Sequence, residues 1–334
     1  FLYTYFIMTI ININGVDLDI SPGSNLTDAY LRGADLTGAD LGGAILTGAD
    51  LTNTILTSAD LTGADLTNVK SGNITGNPTL GSNYFIFSGY IIGPGVDLTG
   101  ANLVGAYLMF ADLEGAVFAG ADLRESILEG ADLRESILEG ANFEHANLYD
   151  ANLEGAGVAS ANFEHANLRY TKWTGAFTSH PNPDYFYNFV VGDGEVNFRN
   201  ADLEGANYNG SDLIGDGIFE GADLTGANLV GAYFTGVDLT DANLTGANLE
   251  GANFTGTSPT ILEYAILTGV KSGNIIGNLT LDSNYSLVSG YIIGPGVDLT
   301  DADLTGVDLI DVDLTGANLT RADLTNSISL NTNL

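Results

Sequence analysis

The chain has 334 residues and a formal net charge of −33, from 42 acidic and 9 basic residues. This acidity argues against direct binding to nucleic acid or to an anionic membrane, and the absence of cysteine excludes disulfides and thiolate chemistry. Hydrophobic residues make up 45% of the chain, which is enough for a continuous core and argues against disorder. No apolar run approaches the roughly 18 residues that a transmembrane helix needs, so we expect no membrane span.

The N-terminal residues 1–23 are predicted to form an apolar strand or cap. The stretch from Phe1 to Ile13 is rich in β-prone residues but lacks the basic start of a secretory signal. Because the first methionine is Met8, the sequence leaves open whether residues 1–7 belong to the native chain. The tetrapeptide from Gly15 to Leu18 is interpreted as the opening of the repeat that follows.

A five-residue period organises most of the remaining chain and is clearest in residues 121–140. There a leucine occupies every fifth position, with a small residue two places before it. Five fits neither the helical period of 3.6 nor the strand period of 2 over a long run. A chain that turns a corner every five residues would point each central residue inward, and four such sides would close a coil of about twenty residues.

The repeated spellings Ala-Asp-Leu and Ala-Asn-Leu, commonly followed by a residue and glycine, resemble the pentapeptide-repeat family. The resemblance implies an all-β fold, a right-handed quadrilateral parallel β-helix (a solenoid) with five-residue sides and about twenty residues per coil. It is specific for architecture and says less about function.

Irregular segments divide the repeat into four arrays. The predicted organisation is a cap at 1–23, array 1 at 24–68, an insert at 69–95, array 2 at 96–175, an insert at 176–195, array 3 at 196–269 with an irregular break near 257–264, an insert at 270–296, and array 4 at 297–334. The stretch from Val69 to Leu98, which includes the first insert and the start of array 2, recurs almost unchanged from Val270 to Leu299. In each, Tyr-Ile-Ile predicts a strand and Gly-Pro-Gly a tight turn. Each insert is either an enlarged coil through which the axis continues or a boundary with a kink.

Coils of twenty residues would stack residues twenty apart at about 4.8 Å. The predicted core ladder is Leu123, Phe143, Phe163, Leu128, Leu148 and Leu168. On the outer face, the same register predicts Arg124 beside Glu144 and Arg134 beside Glu154.

The column of Glu125, His145 and His165 is the one arrangement that resembles a metal site, since two imidazoles and a carboxylate can hold zinc. The alternative is that one coil was duplicated together with its histidine. Pairs of aspartates twenty residues apart, such as Asp40 with Asp60, would stack without an intervening asparagine and could bind Ca²⁺, although the known calcium-loop patterns are missing. A solvated acidic face is the default interpretation, and we otherwise expect no cofactor. No acid, base or nucleophile cluster stands out from the repeat, so we expect no enzyme activity.

Two functions from different classes remain open. The first is a non-catalytic structural or interaction solenoid that self-associates head to tail into oligomers or filaments, as an extracellular or surface filament. Its candidate interface residues are Phe1, Leu2, Tyr3, Tyr5, Phe6, Ile7, Leu330 and Leu334. The second is implied by the resemblance: some members of the family mimic DNA and bind type II topoisomerases such as DNA gyrase, which would place the protein in the cytoplasm. The capping elements associated with that group are not found here.

Overall fold

Stacked, five-residue sides make up the regular parts of the chain. The computed structural model describes residues 10–13, 15–174, 176, 198, 218–234, 237–255, 260–329 and 331–333. Parallel bridges join residues twenty apart in series, as in Asp122 to Asn142 to Asn162. No helix occurs among the described residues, and accordingly none there could cross a membrane. The predicted all-β solenoid with twenty-residue coils is confirmed.

A tight turn ends each side of the coil. The C=O of Leu98 accepts a hydrogen bond from the N–H of Ala101 at 2.9 Å, and Gly100 between them has φ 65°. A positive φ at the third turn position is the mark of a type II turn and explains the glycine of the repeat. On the next side, the N–H of Leu103 donates to the C=O of Asp122 at 2.7 Å, while the N–H of Asp122 donates back to Ala101 at 2.9 Å. Neighbouring coils are thus joined by hydrogen bonds in both directions.

Longer strands occur where the chain departs from the repeat. The strands are β1 (Ile10–Ile13), β2 (Val16–Asp19), β3 (Phe85–Phe87), β4 (Tyr90–Ile92), β5 (Asn253–Phe254), β6 (Thr260–Leu262), β7 (Ile276–Gly277), β8 (Leu279–Leu281), β9 (Ser286–Val288) and β10 (Tyr291–Ile293). The pairs β1–β2, β3–β4 and β9–β10 are antiparallel, whereas β5–β7 and β6–β8 are parallel.

The hairpin of the first insert refills the core of its own coil. The central positions that would hold leucine are occupied by Ser71 and Gly76, which leaves space inside the tube. The side chains of Ile91 and Ile92, on β4, are fully buried there. The N–H of Ile91 donates to the hydroxyl of Ser71 at 2.9 Å, so the hairpin is tied to the sides that it fills. The predicted strand at Tyr-Ile-Ile is confirmed in both copies.

The solenoid axis continues through both described inserts. Lys70 forms bridges to Asp50 on one side and to Asp97 on the other, which makes this coil 27 residues long. Lys271 and Asp298 are paired in the same way across the second copy. This geometry matches the interpretation of the inserts as enlarged coils.

The N-terminal strand folds back on its own chain. Strand β1 pairs with β2 in an antiparallel hairpin, with Ile11 opposite Leu18. Leu18 packs against the core although it is not fully buried. The interpretation of residues 15–18 as the first repeat is therefore wrong, because Val16–Asp19 pairs antiparallel with Ile10–Ile13 and forms no parallel bridge to a following coil among the described residues.

Aromatic rings fill one column of the core. The six residues of the predicted core ladder are all fully buried: Leu123, Phe143, Phe163, Leu128, Leu148 and Leu168. The rings of Phe143 and Phe163 stack with centroids 4.9 Å apart and an interplanar angle of 8°. The ring of Phe163 also stacks on that of Phe198, with centroids 5.2 Å apart. The ring of Trp173 contacts Phe163 edge-on, with centroids 5.5 Å apart. Larger side chains are thus accommodated by placing one ring over another.

Candidate interaction surfaces

Outward aspartates are held by the threonine two residues later. The carboxylate of Asp35 accepts a hydrogen bond from the hydroxyl of Thr37 at 2.6 Å and another from its backbone N–H at 3.0 Å. Both bonds favour the ionised form, so they lower the pKa of Asp35, the hydroxyl contributing most. The sequence signal for this interaction is the recurrent Asp-Leu-Thr spelling, which charge counting alone does not reveal.

The same hydrogen bonds keep stacked aspartates ionised. Asp303 and Asp323 are bridge partners on adjacent coils. The pKa of each is lowered, mainly by the hydroxyl of Thr305 and of Thr325 respectively, even though the charge of Asp323 raises the pKa of Asp303. The hydrogen bonds therefore outweigh the repulsion between neighbouring carboxylates.

The arginines of array 2 bind different carboxylates from those predicted. Arg124 forms an ion pair with Asp122 on its own side of the coil at 2.7 Å. Arg134 binds Asp132 and Glu114, both at 2.6 Å. Glu144 does lie beside Arg124, because its charge adds to the raised pKa of Arg124, of which Asp122 is the main cause. For Arg134, the glutamate that forms the ion pair is Glu114 and not the predicted Glu154. The hydrogen bonds of both guanidinium groups go first to the aspartate two residues earlier.

The ion pair with Asp132 determines which neighbouring coil the guanidinium of Arg134 reaches. Arg134 reaches one coil toward the N-terminus, to Glu114, rather than toward the C-terminus. Its hydrogen bond to Asp132 is the main cause of a raised pKa at Arg134 and a lowered pKa at Asp132. The twenty-residue register still governs which carboxylates are available.

The two histidines of the candidate metal column stack on each other. The rings of His145 and His165 have centroids 4.9 Å apart and an interplanar angle of 5°. Each Nε2 lies 3.8 Å from a carboxylate oxygen of the preceding residue, Glu144 or Glu164. Zinc requires each ligand nitrogen at about 2.0–2.1 Å, so parallel rings at this spacing must turn before they share an ion. A metal bound by these histidines and Glu125 stays a prediction.

Three other side chains lie close enough to share a cation. In the described part of the chain, oxygens of Asp112, Glu114 and Asp132 fall within 4.8 Å of one another. The guanidinium of Arg134 already binds two of these carboxylates, and the amide of Asn83 donates to Asp112 at 2.9 Å. Each of the three carboxylates therefore already has a donor of the protein itself, although one guanidinium offsets only one of the three negative charges.

The predicted end-to-end interface residues lie outside the described residues: Phe1, Leu2, Tyr3, Tyr5, Phe6, Ile7, Leu330 and Leu334. Burial of the central leucines falls between the last two described coils. Leu304 and Leu309 of the earlier coil are buried, whereas Leu324 of the last one is 39% exposed and Leu319 is only partly buried. Leu319 and Leu324 form what we call the apolar end face, next to the exposed Ser329 at the following central position.

The five-residue repeat and its stacking register agree with a known family. The family described as "Pentapeptide repeats" matches in eight copies, over residues 34–70, 95–130, 126–156, 218–256 and 296–328, which together cover just over half of the chain. The chain therefore belongs to the pentapeptide-repeat family, as the sequence analysis predicted.

Several solved structures are similar to this chain. HetL, a pentapeptide repeat protein involved in heterocyst differentiation regulation from the cyanobacterium Nostoc sp. strain PCC 7120, is 28% identical, over 72% of this chain and 90% of HetL, with a TM-score of 0.30. A trypsin-treated form of QnrB1, a plasmid-mediated fluoroquinolone resistance protein, is 16% identical over 78% of this chain and 90% of QnrB1, with a TM-score of 0.25. Rfr23 from the cyanobacterium Cyanothece 51142 is 23% identical over 41% of this chain and 64% of Rfr23, with a TM-score of 0.19. A comparison with curated proteins gave no match.

Proposed function

We propose that the protein is a non-catalytic interaction solenoid whose units join end to end. The observation that carries this proposal is the apolar end face of the last described coil, where Leu319 and Leu324 lose the burial that leucines have elsewhere in the tube. Apolar side chains at positions that are buried in the regular coils of the described residues favour a partner that continues the stack.

The backbone at this end supports the same proposal. The N–H groups of Leu299 and Leu304 donate to the next coil, to the C=O of Asn318 at 2.9 Å and of Asp323 at 2.8 Å. Within the described residues, Leu319 and Leu324 have no corresponding acceptor. The ladder would place their acceptors on a further coil, and a second copy of the chain could supply such a coil by pairing with this strand edge.

The first regular coil offers a backbone edge but no open apolar face. Tyr30 and Asp35 form bridges to Asp50 and Ile55 of the following coil, and no described residue bridges them from the other side. The central side chains Leu31 and Leu36 are fully buried, so a docking copy would meet backbone groups here. A second copy placed with its first coil against the last coil of its neighbour would extend the parallel ladder. The two surfaces differ, so the contact is heterologous and can propagate into a filament.

Sedimentation velocity at micromolar concentrations tests the proposal with one matched pair of variants. Leu324→Asp places a charge on the apolar end face, whereas Thr320→Asp places the same charge on the exposed outer surface of the same coil. We expect concentration-dependent oligomers for the wild type and Thr320→Asp, and mainly monomer for Leu324→Asp. Monomers throughout for the wild type, or identical oligomers for both variants, would contradict the proposal.

A second candidate function is mimicry of DNA toward a type II topoisomerase such as DNA gyrase. The net charge of −33 and the ionised aspartate columns support it, because they present regularly spaced negative charge. A supercoiling assay with purified gyrase separates the candidates. Inhibition or protection by the Leu324→Asp variant would favour mimicry, since the side faces are intact in that variant, and no effect at any concentration would discard it.

A further inference from the structure

One corner of array 2 carries exposed aromatic side chains where the repeat otherwise places small or polar residues. Tyr107 is 61% exposed and Phe110 is 72% exposed, the highest value among the large hydrophobic side chains of the described residues. Two and three coils further on, Tyr149 and Tyr170 are 37% and 43% exposed. We name these four residues the aromatic corner.

Backbone hydrogen bonds place Phe110, Tyr149 and Tyr170 along one edge of the tube, and Tyr107 lies on the side of the coil that leads into it. The N–H of Phe110 donates to the C=O of Glu129, the N–H of Gly130 to Tyr149, and the N–H of Asp150 to the residue before Tyr170. The turn position thus runs through Phe110, Gly130, Asp150 and Tyr170 on successive coils. With coils about 4.8 Å apart, the aromatic corner extends over about 14 Å.

The backbone at Phe110 is unfavourable for its side chain. Its φ is 56°, in the left-handed region where bulky residues are uncommon and where the next coil has Gly130. The exposed ring gains little from burial in return. The same φ recurs at other turn residues such as Tyr170 and Tyr264, so Phe110 is set apart by the exposure of its ring rather than by its backbone.

The surroundings of the aromatic corner define the charge of a partner. Asp150 lies in the same column, and Glu129 lies on the same face beside Gly130. The guanidinium carbon of Arg169 lies 5.7 Å from the centroid of the Tyr170 ring. This contact shows that a ring of the aromatic corner accepts a guanidinium on its face, as cation–π pairs do.

We propose that the aromatic corner binds an extended peptide segment of a partner protein that alternates arginine or lysine with apolar side chains. The cationic groups would pair with Glu129 and Asp150 and lie over the ring of Tyr149, since Arg169 already lies over Tyr170, and the apolar groups would cover Phe110 and Tyr107. A second copy of this chain is a poor fit, because it would bring another strongly acidic surface against this one. The site is separate from the end faces that support self-association.

Fluorescence anisotropy with short labelled peptides tests the site. The probe alternates arginine and leucine, and a peptide that alternates arginine and serine carries the same charge without apolar groups. We expect the arginine–leucine peptide to bind about tenfold more tightly. Equal affinity for both peptides would mean that net charge alone drives binding, and would overturn the proposal.

Variants that leave the protein's charge unchanged localise the binding. Phe110→Gly and Tyr107→Asn introduce the residues found at the matching positions Gly130 and Asn147. The matched control is Tyr264→Gly, which removes an exposed ring of 68% exposure, also at positive φ, outside the aromatic corner. We expect the double variant to bind the arginine–leucine peptide about tenfold more weakly and the control to bind it like the wild type.

The single variant Phe110→Gly shows whether weaker peptide binding is caused by unfolding. Because glycine is favoured at this φ, we expect its Tm to equal or exceed that of the wild type. Weaker peptide binding by this folded variant would support the site. Unchanged peptide affinity, or equal losses for Phe110→Gly and Tyr264→Gly, would contradict it.

Discussion

The regular coils of array 2 and the enlarged coil of the first insert solve the same packing problem in different ways. In array 2, each side supplies its own central side chain, such as Leu123 or Phe143. In the insert, Ser71 and Gly76 leave the centre unfilled, and Ile91 and Ile92 arrive from a hairpin to fill it. The parallel ladder therefore tolerates a coil of another length as long as the apolar volume inside it is restored.

The largest expected effect lies in the regular stack. Phe163 is buried between Phe143 and Phe198, so Phe163→Ala removes ring contacts on both sides. We expect the free energy of unfolding to fall by about 3–5 kcal/mol in chemical denaturation. Phe163→Leu restores the residue of the matching position Leu123 and should cost less. Equal stability of Phe163→Ala and the wild type would show that the ring column is not part of the core.

The insert provides the matching test. Ile92→Ala should lower the free energy of unfolding by about 2–5 kcal/mol, because Ile92 fills the tube where the sides lack leucine. Ile86→Ala, in the paired strand of the same hairpin, is the control, since Ile86 is only partly buried. If both substitutions changed stability equally little, the insert would be an external loop and the comparison would fail.

The second insert isolates the hydrogen bond that ties the hairpin to the coil. The hydroxyl of Ser272 is buried and accepts the N–H of Ile292 at 2.9 Å. Ser272→Ala leaves this N–H without an acceptor in the core and should cost about 1–3 kcal/mol in the free energy of unfolding. The exposed Ser286→Ala, on the same hairpin, should have little effect. If Ser272→Ala lowered the free energy of unfolding no more than Ser286→Ala does, this hydrogen bond would not stabilise the insert.

The smallest expected effect is a change in the pKa of an aspartate on the outer surface. Asp35 of array 1 provides the test. Thr37→Val removes the hydroxyl that is the main cause of the lowered pKa of Asp35. We therefore expect the pKa of Asp35 to rise toward 3.8 in an NMR titration. An unchanged pKa would assign the effect to the backbone N–H alone.

The sign of the accompanying pH dependence follows from linkage. The folded-state pKa of Asp35 lies below its unfolded value of 3.8, so its contribution to stability is present above pH 3.8 and is lost as the pH falls through the folded pKa. Thermal unfolding followed by circular dichroism should show a Tm that declines below about pH 4. A Tm that rises steadily into this range would mean that relief of charge repulsion dominates.

Much of the fold could be predicted because the period of the repeat determines where the chain turns. A five-residue period requires a corner at every pentad, and this alone places Phe143 over Leu123 and under Phe163. The hairpin of β1 and β2 was missed even though Asn14-Gly15 is a strong signal for a two-residue hairpin turn. The pattern of central leucines could not show that Ile91 and Ile92 replace them, since that contact depends on how the hairpin folds back.

The surfaces were harder to predict than the core. Register alone gives Arg134 two glutamates at equal distance, and the choice of Glu114 depends on how Asp132 holds the guanidinium. The exposure of Phe110 follows from its position in the turn. The sequence did not show that Tyr107 and Tyr170 belong to the same exposed aromatic surface, because that depends on how the coils stack. Periodicity determines which positions face outward and leaves the partner of each outward side chain undetermined.

The most direct test of a continuous ladder is a disulfide across the enlarged coil. The protein contains no cysteine, so Lys70→Cys with Asp97→Cys creates a single pair. These residues are bridge partners, and a disulfide needs Cα atoms about 4.4–6.8 Å apart. Asp122→Cys with Asn142→Cys is the matching pair in the regular array. Mild oxidation followed by mass spectrometry should show an intramolecular bond in both proteins. Closure of the pair at 122 and 142 with free thiols at 70 and 97 would contradict an axis that runs unbroken through the insert.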